Sequence, residues 1–183
     1  GYSRQSGIPN EMGFIKNKYI GRTFIAPGQK TREAMVQLKL NPIAGVVNGK
    51  RVVMIDDSIV RGTTCAAIVG LLRAAGAKEV HVRVSAPPFL NPCYYGTDID
   101  SRDNLIACKY SVEEIARQIG ADSLGFLPVE DLGCLINEDC AAEGFCGACF
   151  SGSYPTQIPA APQKSRFEYR ISERKELEDE KSE

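Results

Sequence analysis

RVVMIDDSIVRGTT, residues 51–64, decides how the rest of the chain is arranged. Val52, Val53, Met54 and Ile55 form a short, β-branched apolar run, which reads as a buried strand. Two carboxylates follow, Asp56 and Asp57, then Ser58, Ile59, Val60, Arg61 and the turn residue Gly62. Thr63 and Thr64 can cap a helix, whose face carries Ile68, Leu71, Leu72 and Ala75 and which stops at Gly76. The acids therefore sit at the carboxyl end of a strand and the hydroxyls at a helix start. In an open α/β sheet that is the place for a phosphorylated ligand.

A turn of successive N–H groups entering a helix forms a concavity for an anion, and the two threonines add hydroxyl donors. Gly62 lets backbone approach a phosphate with no side chain between. Asp56 and Asp57 have the opposite preference: they accept hydrogen bonds from a vicinal diol or hold a divalent cation. Together the two halves suit a sugar phosphate. A doubly wound sheet whose strand merely ends in acids is the plainer alternative, and the short motif by itself does not separate the two.

Outward from this stretch, Asn48–Gly49 is a turn delivering the strand, and Glu79–Val84 alternates as the next one. Arg22–Ala26 reads as a strand and Thr31–Leu40 as a helix bounded by Asn41–Pro42. Ser111–Ile119 is a helix with Ser111 as N-cap, Glu114 at the capping-box position and Gly120 as its stop. Asp122–Leu127 is a further strand. Strand and helix in alternation predict a parallel sheet with helical crossovers.

The chain has 183 residues, 43% of them hydrophobic and 25% charged, with a net charge of −1. Those proportions are of a globular domain with a real core, and they give no overall field for nucleic acid or membrane. No apolar run approaches a membrane span, and Gly1–Asn10 is not a signal peptide. Seven cysteines, unevenly framed, point to a reducing, cytoplasmic setting. The single histidine, His81, is expected on a solvated strand face, and no Ser–His or Cys–His catalysis is built on it.

Three regions stand apart. Gly1–Arg32 sets six cations against one acid, Glu11, so it is either a solvated loop or a lid that closes over phosphates. Pro87–Asn104 is a long irregular connection containing Cys93, and such loops are commonly functional. Gly133–Cys149 holds Cys134, Cys140, Cys146 and Cys149, and its C-x-x-C serves zinc, redox or iron–sulfur chemistry alike. With Cys93 it could form a four-thiolate site. Cys65 and Cys108 read as buried or incidental thiols. Gln163–Glu183 is a charged tail without assigned chemistry.

VVMIDDSIVRGTT resembles the ribose-phosphate loop of the type I phosphoribosyltransferases. IDDSIVRGTT is similar to the wording in one branch of them, the glutamine phosphoribosylpyrophosphate amidotransferases (amidophosphoribosyltransferases) of purine synthesis. The same branch is matched by SGIP-E-G with KNKYIGRTFI (Ser6–Ile25), AGAKEVHVRV-APP (Ala75–Pro88), NPCYYG (Asn91–Gly96) and CGACFSGSYPTQI (Cys146–Ile158). Several blocks in one order, over about Gly1 to Ile158, are far more specific than any one alone. The resemblance implies a type I phosphoribosyltransferase fold lacking its first strand and its pyrophosphate loop. It also implies a glutaminase domain, with its own nucleophilic cysteine, outside this chain. Residues 1–132 would be a partial transferase domain, with a lid over 1–24 and the phosphate loop over 52–64. Residues 133–159 would be an iron–sulfur segment and 160–183 the tail.

What the resemblance implies for chemistry is transfer of ammonia, released from glutamine, to phosphoribosyl pyrophosphate. Asp56 and Asp57 would stabilise the reacting ribose and bind magnesium. Ser58, Ile59, Val60, Arg61, Gly62, Thr63 and Thr64 would hold the 5-phosphate. Lys16, Asn17, Tyr19, Arg22 and Thr23 fit the lid pattern, with Lys16 and Arg22 catalytic and Tyr19 substrate-binding; Asn10 stands where tyrosine is usual. A four-iron four-sulfur cluster would take Cys93, Cys146 and Cys149, with its fourth ligand outside the chain; Cys140 could substitute locally, and Ser153 replaces a common lysine. Inhibition by purine nucleotides and a homotetramer are further implications. Alone, the chain should bind substrate weakly and hydrolyse no glutamine. Two other readings remain: a non-catalytic phosphoribosyl or nucleotide sensor, which has little need of KNKYIGRTFI, and a transferase for a purine base, which leaves the cysteines unexplained.

Overall fold

The structure, a computed structural model, describes residues 1–17, 19, 39–97, 99, 101–135 and 144–158, with the side chains of 134 and 135 excepted. Its centre is a parallel three-stranded sheet of β3 (Arg51–Asp56), β4 (Glu79–Val84) and β5 (Ser123–Phe126), in that order. Each strand is followed or preceded by a helix, α3 (Thr63–Ala74) between β3 and β4 and α4 (Val112–Ile119) before β5. The parallel sheet expected from the alternation of strand and helix is thus present.

Register explains which side is core. Val52, Met54 and Asp56 pair with Val80, Val82 and Val84, so all six side chains share one face. The three valines of β4 and Met54 are buried there, packed with Val69 and Leu72 of α3 and Ile115 and Ile119 of α4. Burying each such aliphatic side chain contributes about 1.5–3 kcal/mol. The same alternation carries Asp56, the last residue of β3, onto the core side.

On the opposite face, Val53, His81 and Ser123 align, and next to them Ile55, Arg83 and Gly125. His81 is more than a solvated residue here. Its Nδ1 lies 2.9 Å from Ser123 Oγ and its Nε2 3.0 Å from Glu79 Oε2. Arg83 donates to Ser123 Oγ at 3.0 Å and lies over Gly125, where a Cβ would stand 3.2 Å from Arg83 Cδ. This face is a satisfied polar network, not an exposed imidazole.

Local signals hold unevenly. The capping box of α4 forms as expected: Ser111 Oγ accepts from the Glu114 N–H and Glu114 accepts from the Ser111 N–H, with Gly120 left-handed behind the helix. Gly49 has a φ of 71° and donates to the Gly76 carbonyl, making the turn before β3. In α3 the buried stripe is Cys65, Val69 and Leu72, one residue round from the expected face, with Ile68 and Ala75 only partly buried. Leu40 ends in strand β2 (Leu40–Pro42), not in a helix; β2 pairs antiparallel with β1 (Phe14–Lys16), which falls inside the cationic N-terminal region. Two short helices, α1 (Tyr2–Ser6) and α2 (Ala44–Val47), flank this ribbon. The expected strand over Arg22–Ala26, the helix over residues 31–38 and the tail from Gln163 lie outside the described residues.

Candidate functional site

The turn between β3 and α3 wraps one cavity of about 420 Å³, lined by every residue from Asp56 to Cys65 together with Ile68, Phe89, Thr97 and Ile99. Nine of these were expected from the sequence, Asp56 through Thr64. Cys65, Ile68 and the three from the long connection were not. Length, Cys93 and the NPCYYG block marked Pro87–Asn104 as functional, but Phe89, Thr97 and Ile99 belong to no motif.

Burial differs sharply between the two acids. Asp56 is half-buried at the strand end, where its main chain is tied to β4: its carbonyl accepts from the Ser85 N–H at 3.0 Å. Burial raises its carboxyl above the ordinary carboxylate range; the Asp57 N–H, donating to Asp56 Oδ1 at 3.0 Å, opposes this, and the Asp57 charge adds to the rise. Asp57 is exposed, and Ser58 Oγ donates to its Oδ1 at 3.1 Å. Adjacent carboxylates of which one is desolvated are stabilised by any cation or row of donors placed between them.

Beyond the acids the turn is anchored from below. Ile59 is 4% exposed and belongs to the main core, so its side chain fixes the turn from beneath. The Val60 carbonyl accepts from the Ile106 N–H at 2.9 Å, and Val60 packs on a second core of Phe89, Ile99 and Leu105. Gly62 is the N-cap of α3 with a φ of 79°, and a Cβ there would meet Ile106 Cδ1 at 2.7 Å. Both facts exclude a side chain. No side chain caps α3, so Thr63 and Thr64 begin the helix rather than cap it. The N–H groups of the first turn, which have no acceptor within a helix, therefore remain for a ligand.

Lys16 ends β1 and is exposed, and Tyr19 is fully exposed; neither lines the cavity. Arg22 and Thr23 lie outside the described residues. Cys65, in the first turn of α3, is 3% exposed; burial, followed by repulsion from Asp56, pushes its thiol up to about 12.

A second locus holds cysteines. Cys93 precedes a turn whose Thr97 N–H points at its Sγ at 3.4 Å. Burial alone would raise this thiol, but backbone N–H groups of Tyr95, Thr97 and Gly96 together outweigh it and bring it below the ordinary thiol value. Cys149 lies in the short helix α5 (Ala148–Ser151), and burial, then its own neighbourhood with Cys93 and Cys146, raises it. Cys149 is thus close enough to both Cys93 and Cys146 to feel their charges. As they stand, no three described Cys, His, Asp or Glu side chains converge on one point. Cys108 is exposed and donates to the Leu90 carbonyl; Cys140 and the Cys134 side chain are outside the described residues. The two loci share a wall: Cys93, Cys149, Phe150 and Val60 all pack on the Phe89, Ile99 and Leu105 core.

Comparison with known proteins bears on all of this. No protein-family model matches the chain. The amidophosphoribosyltransferase of Bacillus subtilis is 56% identical over 160 residues, which are 86% of this chain and 34% of that protein. The chain matches one part of the amidophosphoribosyltransferases. Enzymes of the same name from Synechocystis (52% over 167 residues, 91% of this chain and 33% of that one) and Methanothermobacter thermautotrophicus (52% over 163 residues, 87% and 33%) match similarly. Among solved structures, a glutamine phosphoribosylpyrophosphate amidotransferase from B. subtilis complexed with ADP and GMP superposes with a TM-score of 0.73 at 54% identity. That superposition covers 88% of this chain and 36% of that one. The fold is therefore that of the type I phosphoribosyltransferase part of these amidotransferases. The chain spans about a third of the length of the curated relatives it matches. No helix among the described residues is long and apolar enough to cross a membrane.

Proposed function

We propose that this chain supplies the phosphoribosyl-binding part of an amidophosphoribosyltransferase. The observation that supports it is the single cavity lined by Asp56, Asp57 and the turn running into α3. The 5-phosphate of phosphoribosyl pyrophosphate sits on the N–H groups and hydroxyls of Ser58 to Thr64, and the ribose diol donates its hydroxyls to the two carboxylates. Ammonia, delivered from a glutaminase outside this chain, attacks the anomeric carbon; the C–N bond forms as the C–O bond to pyrophosphate breaks, giving phosphoribosylamine. The transition state has oxocarbenium character, so the protein needs no covalent nucleophile. Its task is to orient the ring, exclude water and place negative charge beside the developing cation. A purine nucleoside monophosphate carries the same ribose phosphate and would compete for the turn.

Two groups extend the proposal. The adjacent oxygens of Asp56 and Asp57, one desolvated and repelled by the other, suit magnesium, which would offset both charges and neutralise the departing pyrophosphate. Cys93, Cys146 and Cys149 suit an iron–sulfur cluster in donor type, in their mutual proximity and in the N–H groups aimed at Cys93, with a further ligand and some closing of the set required. Lys16, Tyr19 and Arg22 would close over the substrate from the lid, and a homotetramer in the cytoplasm is the assembly we assign.

Calorimetric titration with phosphoribosyl pyrophosphate and magnesium tests the site. The Asp57→Asn chain should bind at least about tenfold more weakly, as one charged contact is lost. In the full-length protein that change should abolish phosphoribosylamine formation and spare glutamine hydrolysis. Unchanged affinity in the chain together with unchanged transfer in the full protein removes the proposal.

A further inference from the structure

After Cys149 the chain turns back over the segment that carries Cys93. Helix α5 ends at Gly152, whose φ of 78° reverses the backbone. Tyr154 then donates its hydroxyl to the carbonyl of Pro92, the residue before Cys93, at 2.6 Å across 62 positions of sequence. Its ring packs on Tyr94 with centroids 5.0 Å apart and reaches Tyr95 at 6.5 Å. Tyr95 in turn meets Thr156 Oγ1 at 2.9 Å and accepts the Thr156 N–H at 3.3 Å. On the inner side, the N–H groups of Leu90 and Asn91 both donate to the Cys149 carbonyl at 3.0 Å. The two thiol-bearing segments are therefore joined twice, by backbone on one side and by tyrosines on the other.

We infer that Tyr154 is a positioning residue, a latch that sets the reach between Cys93 and the Cys146–Cys149 pair. No disulfide among the described residues joins the two segments, so no covalent bond of that kind fixes that reach. The backbone link constrains Cys149 against residues 90 and 91, but Cys93 lies beyond Pro92 on a turn that continues to Thr97. Holding the Pro92 carbonyl fixes where that turn begins. The ring also shields the locus, since Tyr154 is half-buried and within electrostatic range of both Cys93 and Cys149. The purpose of the latch rests on the metal reading given above; its existence does not, and the two fail separately.

The test uses the metal-free chain in a Cys146→Ser background and a short bifunctional thiol reagent, dibromobimane. Peptide mapping then follows the rate at which Cys93 and Cys149 become bridged. Tyr154→Ala should slow bridging by about tenfold, and Tyr154→Phe, which keeps the ring and loses the hydroxyl, by about two- to threefold. Circular dichroism melting monitors folding in parallel. Bridging at the unsubstituted rate in a folded Tyr154→Ala chain overturns the latch. Should that variant fail to fold, unchanged bridging in Tyr154→Phe overturns it instead. Slowed bridging in this chain, together with full-length protein that holds no iron after anaerobic purification, supports the latch and removes the cluster.

Discussion

Substituting Gly62 by alanine separates the backbone of the phosphate turn from its side chains, and the structure gives the size of the effect. A φ of 79° is left-handed, which costs a non-glycine residue about 1–2 kcal/mol. The new Cβ would stand 2.7 Å from Ile106 Cδ1 and 3.6 Å from Ile119 Cγ2, both on side chains of the main core. Ile106 is only 8% exposed and cannot swing into solvent without opening that core, so overpacking adds about 1–3 kcal/mol. The expected destabilisation is about 2–5 kcal/mol, read as a fall in the urea midpoint at unchanged slope. The double substitution Gly62→Ala with Ile106→Val divides the two causes. Valine lacks the clashing Cδ1, so the pair should be less destabilised than the sum of the singles by about 1–2 kcal/mol, leaving the φ cost. Phosphoribosyl pyrophosphate affinity should stay depressed in both, because backbone conformation, not the clash, aims the N–H groups. Strict additivity of the two substitutions, or a Gly62→Ala chain with unchanged midpoint and affinity, refutes this account of the turn.

Three further outcomes follow from charge and burial. Asp56→Asn should stabilise the fold at pH 7 while weakening binding: burial raises this carboxyl, so its ionised form costs stability at pH values above the folded pKa, and the gain should vanish as pH falls below the ordinary carboxylate value near ~3.9. Denaturation midpoints at pH 7 and pH 3.5 check it, and equal shifts at both would sink it. Asp122 has the opposite sign. Its Oδ2 accepts from the Val80 N–H at 2.6 Å, which is the main cause of its lowered pKa, with Arg73 contributing at 2.5 Å. Its stabilisation is present above the unfolded pKa and lost as acid protonates the folded carboxylate, so Asp122→Asn should lower the midpoint at pH 7 and have little effect at the acid end of the same titration. Cys65, with its thiol near 12 and 3% exposure, should resist iodoacetamide at pH 8 in the native chain and react only on unfolding. Mass spectrometry showing Cys65 alkylated as fast as the exposed Cys108 contradicts its buried position.

The order of strand, acids, turn and helix was legible because each part is a local signal. A β-branched run makes a strand, a glycine permits the left-handed turn, and a capping box starts a helix wherever Ser111 and Glu114 stand three apart. Less legible was which side of α3 is buried. Its stripe of Cys65, Val69 and Leu72 depends on where the valines of β4 lie, and a thiol gives no strong sign of being core. His81 stands on the outer strand face, as its alternation with Val80 and Val82 indicates, and Glu79 is its neighbour two residues away, but its partner Ser123 comes from register with a strand 42 residues away.

The sequence by itself determined the make-up of the turn between β3 and α3, since Asp56 to Thr64 are contiguous and its course depends on residue type and on a backbone that only glycine permits. The far wall of the cavity was decided by tertiary structure alone. Phe89, Thr97 and Ile99 reach it because the long connection folds onto the Leu105 core, which also seats Cys93 and Cys149. Nothing local encodes that approach. It arises from burial of apolar surface between segments distant along the chain, and burial has no period to read.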